Sequence, residues 1–315
     1  MTIPSVTVLV PSYNHAPFIE RTLRSIFKQS LPPKKLIVID DGSKDESVTV
    51  IERALAECPF DNHLIIQENK GLSATLNKGF ALSNGEYFAY LGSDDVWLPQ
   101  FLEKRTALLE SRPSAVLAFG HAYLIDEDDR IIDNTQSWTS FADGDLLPFL
   151  LRGEIPASPT VVYRAVALKN ERWNENAALE DYELYLKLCK QGEFALDSSV
   201  LSAWRQHGWN TSSDFPLMIE EWIAAQDRTL DKLGMTRAEL DKVQTELRFN
   251  TAFEYVRHGR KKEAFRLMRE NLSGAGSPVR VAQLLMRLAT PKSLFAWNRK
   301  RKKERSIQRH GKLNI

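Results

Sequence analysis

Short apolar runs alternate with amphipathic stretches through the first third of this chain. The apolar runs are 6–10, 36–39, 64–66 and 87–91, and the stretches with helical periodicity between them are 18–29, 45–57 and 73–82. Short runs bounded by turn residues that alternate with helices are typical of βαβ units. The pattern therefore predicts an α/β fold built on a mostly parallel central sheet.

The pattern changes twice after residue 110. The sequence SAVLAFGHAYLIDEDDRII (114–132) predicts two strands around an acidic turn, residues 179–192 predict a helix that Gly192 ends, and residues 194–207 predict a further strand. From residue 216 onward only helical patterns occur, at 216–234, 236–258, 261–271 and 278–288. We therefore expect an α/β domain over 1–213, a helical C-terminal extension over 214–291, and a tail over 292–315.

The composition is that of a globular protein of 315 residues, 43% hydrophobic and 26% charged. A chain of this length buries enough apolar surface to fold without disulfides or structural metals. Cys58 and Cys189 lie far apart without metal-ligand spacing, so we expect two reduced thiols. No leader peptide pattern and no apolar run near the ~18 residues that span a bilayer occur, which predicts a cytoplasmic protein.

Compact polar sequences follow each of the four predicted strands. They are PSYN (Pro11, Ser12, Tyr13, Asn14), DDGS (from Asp40 and Asp41), QENKG (ending in Asn69, Lys70, Gly71) and GSDD (ending in Ser93, Asp94, Asp95). Any one of them could simply cap the following helix. Four successive ends with amides or carboxylates instead predict a ligand site, because ligands of open α/β sheets bind outside the carboxyl ends of the strands.

The residue types at these ends narrow the ligand. Neither GxGxxG nor GxxxxGK[ST] occurs, which argues against a dinucleotide enzyme or a P-loop NTPase. Carboxylates hold Mg²⁺ or Mn²⁺, and such an ion can bridge to diphosphate oxygens. A nucleotide diphosphate that leaves during the reaction, with the metal as its Lewis acid, fits this set.

Five motifs in these positions resemble glycosyltransferase family 2. They are VTVLVPSYN, LIVIDDGSKDES, NKGLSATLNKG, YLGSDDVWLP and LEDYELYLKL, and the resemblance covers about residues 3–213. The family has the GT-A fold. The resemblance implies transfer of a sugar from a nucleotide-diphospho-sugar to an acceptor hydroxyl, with inversion and with Mg²⁺ or Mn²⁺.

The resemblance also implies roles for individual residues. Pro11 and Tyr13 would flank the nucleotide base, with Ser12 and Asn14 beside them, and Asp41, with Asp40, would accept hydrogen bonds from the base. Asn69, Lys70, Gly71 and Asn77 would line the nucleotide side of the crevice, and Ser93 and Asp94 would lie nearer the ribose. Asp95 is expected to be the metal ligand, joined by His207. Gly92 departs from the family's common form, where a further Asp stands, and leaves the number of protein ligands open.

Asp181 matches the family's general base, with Glu180 as the alternative. Inversion needs a carboxylate opposite the leaving diphosphate to take the acceptor's proton. Acids in the first turn of a helix also complement the helix dipole, which is the purely structural interpretation. Residues 156–165 are expected on the acceptor side, and Trp97 in packing, with a platform for the acceptor as its alternative.

The sequence therefore predicts an inverting, metal-dependent glycosyltransferase that uses a nucleotide-diphospho-sugar, with UDP as the family's commonest carrier. A glycan or a lipid-linked molecule, as in bacterial surface polysaccharide, is the expected acceptor. A processive synthase is disfavoured because no Gln-x-x-Arg-Trp motif occurs, and a nucleotidyltransferase because no basic Gly-rich loop follows the first strand. A nucleotide-sugar-binding protein without transferase activity, and a transferase acting on proteins or small molecules, stay as alternatives.

The net charge of +1 conceals an asymmetry. Residues 292–315 contain nine Lys and Arg and one Glu, so the rest of the chain is acidic. Six of those basic residues lie between 299 and 305, next to Leu294, Phe295 and Trp297. A basic amphipathic segment with a Trp fits an anionic membrane surface, on the inner face of the cell membrane. The alternatives for this tail are a nuclear-localisation signal, a nucleic-acid contact and a solvated tail. Among them, the nucleic-acid contact is not the one that we expect.

Overall fold

The computed structural model describes residues 3–208 and 214–314. Its strands are β1 (Val6–Ser12), β2 (Lys35–Asp40), β3 (Asn62–Ile66), β4 (Tyr87–Tyr90), β5 (Val96–Trp97), β6 (Ala115–Ile125), β7 (Ile131–Asn134), β8 (Val162–Arg164) and β9 (Glu193–Arg205). Within the described ranges they form one sheet in the order β3-β2-β1-β4-β8-β6-β9-β5, with β7 paired to β6.

The sheet is mostly parallel, as the alternating pattern predicts. Strands β3, β2, β1 and β4 are paired in parallel. Strand β8 lies antiparallel between β4 and β6, and β6 then pairs in parallel with β9. The acidic turn joins β6 to β7 in an antiparallel hairpin, which confirms the two strands expected there.

The predicted helices occur within a few residues of their expected positions. The helices of the structure are α1 (Ile19–Phe27), α2 (Ser47–Leu55), α3 (Leu72–Ala81), α4 (Phe101–Ser111), α5 (Leu147–Leu150), α6 (Ala165–Leu168), α7 (Glu180–Leu188), α8 (Phe215–Arg228), α9 (Leu230–Leu233), α10 (Arg237–Arg257), α11 (Lys261–Glu270), α12 (Pro278–Ala289) and α13 (Lys292–His310). Of these, α4, α5, α6 and α13 were not predicted. Short 3₁₀ turns occupy Thr135–Ser137, Ser158–Thr160 and Leu272–Ala275.

Two apolar layers cover the sheet, one on each face. Because successive strand residues point to opposite faces, Val8 packs in the layer that includes α1 and α2, and Leu9 in the layer that includes α3, α7 and α8. Both layers are fully buried at the centre of the sheet. This rigid sheet fixes the positions of the loops at its edge.

The C-terminal helices form a smaller core of their own around Phe249, Val256 and Leu284. Helix α8 joins this region to the α/β domain, since Trp222 packs in the main core. The boundary expected at residue 213 lies outside the described residues. No helix in the described ranges combines the length and the apolar character that crossing a membrane requires. Cys58 and Cys189 are free thiols.

The basic tail forms helix α13, and the residues after it pair with the acidic β6–β7 turn. Lys302 forms an ion pair with Asp133, at 2.7 Å, and Lys303 one with Asp126, at 3.2 Å. The described part of this segment is therefore a helix and not a disordered tail, although no residue of α13 is buried and the helix is solvated. The acidic hairpin of the same chain therefore supplies part of the negative charge that this basic segment contacts.

Candidate active site

The polar strand ends meet at one edge of the sheet. The register pairs Ser12 with Asp40 and Asp40 with Ile66, while Leu9 lies opposite Tyr90. Since these strands are parallel, the loops that leave them emerge side by side. This register is the structural basis of the common crevice that the sequence predicts.

Asp40 and Asp41 shape one wall of this crevice. Asp40 is fully buried and accepts hydrogen bonds from the backbone N and Oγ of Ser43. Asp41 accepts from the backbone N of Lys70 and of Gly71, both at 2.8 Å. The two carboxylates expected to meet a base thus hold the backbone that follows β2 and β3.

Gly42 allows the two loops to approach closely. Its φ of +79° is left-handed, and a Cβ there would lie 2.9 Å from the backbone N of Asn69. A side chain at position 42 would therefore push the loops apart. Asn69, Lys70 and Gly71 are exposed beside it and available to a ligand.

The remaining residues expected near the nucleotide divide into exposed and buried groups. Tyr13 is 45% exposed, and Asn14, with a left-handed φ of 53°, accepts a hydrogen bond from the backbone N of Lys44. Pro11 and Ser12 are buried because β1 continues through them. Asn77 is engaged by the neighbouring loop, donating to the carbonyl of Trp173 and accepting from its N–H.

Asp94 meets two imidazoles at the end of β4. Its Oδ2 lies 2.9 Å from Nε2 of His207, and its Oδ1 lies 3.9 Å from Nδ1 of His15. The ligand atoms of the three side chains lie within 4.8 Å of one another. One carboxylate and two imidazoles at this spacing fit a divalent cation.

The protonation of His15 favours the same role. Burial lowers its pKa, against a smaller opposing effect of the Asp94 carboxylate. A lowered pKa keeps the ring neutral near pH 7, which is the form that ligates a metal. Its Nδ1 lies 2.7 Å from Oγ of Ser93, a contact that orients the ring.

Asp95, to which the sequence assigns the metal, makes a different contact. Its Oδ1 accepts a hydrogen bond from the backbone N of Arg205 at 2.8 Å, and the side chain is buried. The loop that carries the two acids is closed by a tight turn, in which the backbone N of Asp95 donates to the carbonyl of Gly92. Asp94 rather than Asp95 is therefore the carboxylate beside His207.

The environment of Asp95 also differs chemically. Burial raises its pKa well above the usual range for an aspartate, and the neighbouring Asp94 carboxylate raises it further. The raised pKa thus reflects, besides burial, the repulsion that is expected between adjacent acids.

Gly92 lies against both acids. A Cβ at this position would lie 3.0 Å from Oδ1 of Asp94 and 3.3 Å from Oδ2 of Asp95. A larger residue here would require the carboxylates to move. Glycine at position 92, where the family's common form has a further Asp, therefore fits the close packing of the two carboxylates in this loop.

Arg205 joins the loop 92–95 that carries Asp94 and Asp95, here called the acid loop, to β9 and to the acidic turn. Its side chain is buried, and its Nε donates to the carbonyl of Asp94 at 2.8 Å. The guanidinium also donates to the carbonyl of Asp126 and lies 4.8 Å from the ring centre of Phe18. His207, two residues later, stacks on the same Phe18 ring.

Glu180 and Asp181 open helix α7, as predicted. The hydroxyl of Tyr90 donates to Glu180 at 3.2 Å, which ties this helix terminus to the strand that carries the acid loop. Burial raises the pKa of both carboxyls, and for Asp181 the charge of Glu180 raises it further. A carboxylate with a raised pKa is a stronger base when it is deprotonated.

Residues 156–165, which the sequence places on the acceptor side, lie partly in the core. Residues Val162–Arg164 form β8, while Ser158 at its other end hydrogen-bonds to Tyr90. Trp97 is fully buried, stacks on Phe101 and donates from Nε1 to the carbonyl of Pro159. These contacts confirm the packing interpretation of Trp97, because its ring has no accessible face for an acceptor.

Sequence reasoning missed His15 and the role of Arg205. His15 directly follows PSYN, and Arg205 precedes His207 by two positions. Position at a strand end was the available signal for His15. For Arg205 no local pattern shows that its partners come from the acid loop and from a hairpin residue 79 positions before it.

Comparison with known proteins finds a family that matches the first half of the chain. Residues 7–160 match the sequence model of Glycosyl transferase family 2. An uncharacterized glycosyltransferase of Nostoc sp. is 30% identical over 147 residues, 47% of this chain and 45% of that protein. Chondroitin synthase of Escherichia coli is 24% identical over 237 residues, 75% of this chain but 34% of the synthase. The chain thus spans less than half the length of these two relatives.

Solved structures resemble the whole fold. Staphylococcus aureus TarS with UDP-GlcNAc superposes with a TM-score of 0.61 at 17% identity, covering 99% of this chain and 93% of that one. The mannosyltransferase PcManGT of Pyrobaculum calidifontis with GDP-Man and Mn²⁺ gives a TM-score of 0.64 at 17% identity, covering 98% and 87%. Residues 7–160 thus match glycosyltransferase family 2, as the sequence motifs predicted, and the chain has the GT-A fold of these solved structures, which confirms the expected fold class.

Proposed function

We propose that this member of glycosyltransferase family 2 transfers a sugar, with inversion, from a nucleotide-diphospho-sugar to an acceptor hydroxyl. The observation that carries the proposal is that Asp94, which lies beside His15 and His207, follows the same strand whose Tyr90 hydroxyl donates to Glu180, the neighbour of Asp181. The end of β4 thus connects a candidate cation site with a pair of buried carboxyl groups.

The cation is held, in this proposal, by Asp94, His207 and His15. A divalent ion held there would supply positive charge to the leaving diphosphate. Imidazole nitrogens are poorer ligands for Mg²⁺ than for transition metals, so this donor set favours Mn²⁺. Arg205 holds the loop of Asp94 through its backbone, which lets the carboxylate keep its position as the ligand enters.

Asp181 is the proposed general base, with Glu180 as the alternative. Its raised pKa, which burial causes, suits removal of a proton from an acceptor hydroxyl. Attack by that hydroxyl forms the new glycosidic bond while the bond to the diphosphate breaks, and the hydroxyl proton passes to the carboxylate. Attack from the face opposite the diphosphate inverts the anomeric carbon.

The donor and acceptor are proposed from the relatives and the crevice together. TarS is bound to UDP-GlcNAc and PcManGT to GDP-Man in their structures, which supports a nucleotide-diphospho-sugar here. We propose a UDP-sugar as donor, with the exposed Tyr13 and the loop 69–71 at the nucleotide. A glycan, free or lipid-linked, is the proposed acceptor, in line with the similarity to chondroitin synthase.

A face of helix α13 supports a membrane contact. Leu294 and Trp297 are exposed, and the guanidinium of Arg301 lies 5.0 Å from the ring centre of Trp297. Lys302 and Lys303 face the acidic turn instead. We propose that the face with Leu294, Trp297 and Arg301 touches anionic lipid, which would bring a lipid-linked acceptor to the enzyme.

A panel of UDP-, GDP- and dTDP-sugars, each with Mn²⁺, Mg²⁺ or EDTA, tests the proposal. We expect metal-dependent donor hydrolysis and a raised Tm with one nucleotide class. Asp181→Asn should keep the rise in Tm and lose turnover. A rise in Tm without turnover in the wild type, with acceptor glycans present, would instead favour a nucleotide-sugar-binding protein. No response to any donor would contradict the proposed function.

A further inference from the structure

The residues after helix α13 pair with the acidic turn between β6 and β7. The backbone N of Ile131 donates to the carbonyl of Gly311 at 3.0 Å, and the backbone N of Leu313 donates to the carbonyl of Asp129 at 2.8 Å. The Leu313 side chain is buried against Val96, which directly follows the two acids. Residues 311–313 thus lie beside the active-site loop.

Asp129 stands at the centre of this contact. Its carboxylate forms ion pairs with Arg21, at 2.8 Å, and with Arg205, at 2.7 Å. Arg21 also donates to the carbonyl of Leu313 at 2.8 Å. Asp129 has a left-handed φ of 63°, a conformation that Asp and Asn adopt more readily than most residues.

The ion pair with Arg205 connects Asp129 to the cation site. Arg205 is 1% exposed, and a buried guanidinium needs a counter-charge. The same guanidinium donates to the carbonyl of Asp94, while its backbone N donates to the side chain of Asp95. Displacement of Arg205 would therefore move the acid loop and, through the chain, His207.

We infer that Asp129 is a positioning residue of the active site and that residues 311–313 act with it as a clasp. The clasp holds Arg205, and Arg205 holds Asp94 and His207 at the spacing that a cation requires. This inference rests on the proposed function only for its effect on the metal. Positioning of the acid loop is a property of the chain without ligand.

Asp129→Asn is the test variant, because Asn tolerates the left-handed φ and removes only the charge. Asp128→Asn is the matched control in the same turn, since the Asp128 side chain is 66% exposed and pairs with Arg130. A second variant, Leu313→Ala, loosens the clasp without touching any charged group.

Hydrogen exchange of the metal-free protein is the first measurement. We expect Asp129→Asn and Leu313→Ala to raise exchange of the amides of Asp95 and Arg205 about tenfold, while Asp128→Asn leaves it unchanged. Unchanged exchange in both test variants would overturn the inference, as would an equal rise in the control.

Binding of Mn²⁺ in the presence of UDP, followed by electron paramagnetic resonance, is the second measurement. We expect Asp129→Asn to weaken Mn²⁺ binding about 10–100-fold and to change the spectrum of the bound ion. Wild-type affinity and spectrum in that variant would overturn the effect on the metal. If the wild type itself binds no Mn²⁺ with any nucleotide, the proposed metal dependence fails, and the exchange result alone decides the clasp.

Discussion

The imidazole Nε2 of His207 lies 2.9 Å from the Asp94 carboxylate, while the adjacent Asp95 turns inward to the backbone of Arg205. Two neighbouring acids with the same sequence context therefore have different tasks. Asp94 faces the crevice together with His15, and Asp95 closes the loop on β9. The different contacts of Asp94 and Asp95 can be compared directly by experiment.

Asp94→Asn should weaken Mn²⁺ binding by more than the roughly 10–100-fold that loss of an outer-shell partner costs, whereas Asp95→Asn should leave it nearly unchanged. An amide at position 94 loses the charge that meets the cation. At position 95 the raised pKa already favours the neutral acid, and an amide oxygen still accepts from the backbone of Arg205. Calorimetric titration of both variants with Mn²⁺ and nucleotide distinguishes them. The reverse order of affinities would restore Asp95 as the ligand.

Asp181→Asn should lower kcat by about 10²–10⁴-fold with little change in donor affinity, since general base catalysis typically contributes that much. Glu180→Gln should have a smaller effect, because Glu180 accepts a hydrogen bond from Tyr90 and serves to hold the helix terminus. Initial rates and donor binding by both variants measure this. A greater loss of kcat in Glu180→Gln would assign the base to Glu180.

The stability of the protein without donor should fall as the pH rises through the raised pKa of Asp181. Below the pKa that Asp has in the unfolded chain, the carboxyl is protonated in both states. Above it, the unfolded chain ionises first, which lowers the free energy of the unfolded state and so reduces the stability of the folded one. Asp181→Asn should therefore raise Tm at pH 8 and have no effect near pH 3. Thermal unfolding across this range checks the sign, with exposed Glu52→Gln as control. A Tm difference independent of pH would contradict the burial of the charge.

Trp97→Ala should destabilise the fold by about 3–5 kcal/mol, because it leaves a cavity and an unpaired carbonyl at Pro159. Trp138→Ala, at a 49% exposed tryptophan, should cost less than about 0.5 kcal/mol. Urea unfolding of both variants gives the comparison. If Trp97→Ala kept wild-type stability and raised only the KM for acceptor, the platform role would be correct.

Replacing Lys300 and Arg301 by Gln should reduce binding to vesicles with phosphatidylserine, and added salt should reduce the wild-type binding in the same way. The Lys300 side chain is 78% exposed, so the fold should not change. Lys34→Gln with Lys35→Gln removes equal charge at the opposite end of the strands. Co-sedimentation measures both. Equal binding by the wild type and both double variants would end the membrane proposal; deleting the tail is a poorer test because it also removes the clasp.

The alternating pattern of the first third predicted the strands and helices that carry the crevice, because burial on both faces of a parallel sheet gives short continuous apolar runs that differ clearly from the amphipathic helices between them. The polar strand ends likewise identified where ligand chemistry belongs. Boundaries were less accurate: β1 continues through Pro11 and Ser12, which the sequence placed in a loop. Proline and serine at a strand end give no local signal of whether the ladder continues.

The sequence by itself determined the fold class, the edge of the sheet where the site lies, and the residue types available there. Only the tertiary structure decided which acid faces His207, that His15 joins it, and that Leu313 and Asp129 support Arg205. The physical reason is the distance along the chain over which each interaction acts. Periodicity and capping act within a few residues, whereas the direction of a carboxylate depends on donors that the fold brings from more than a hundred positions away.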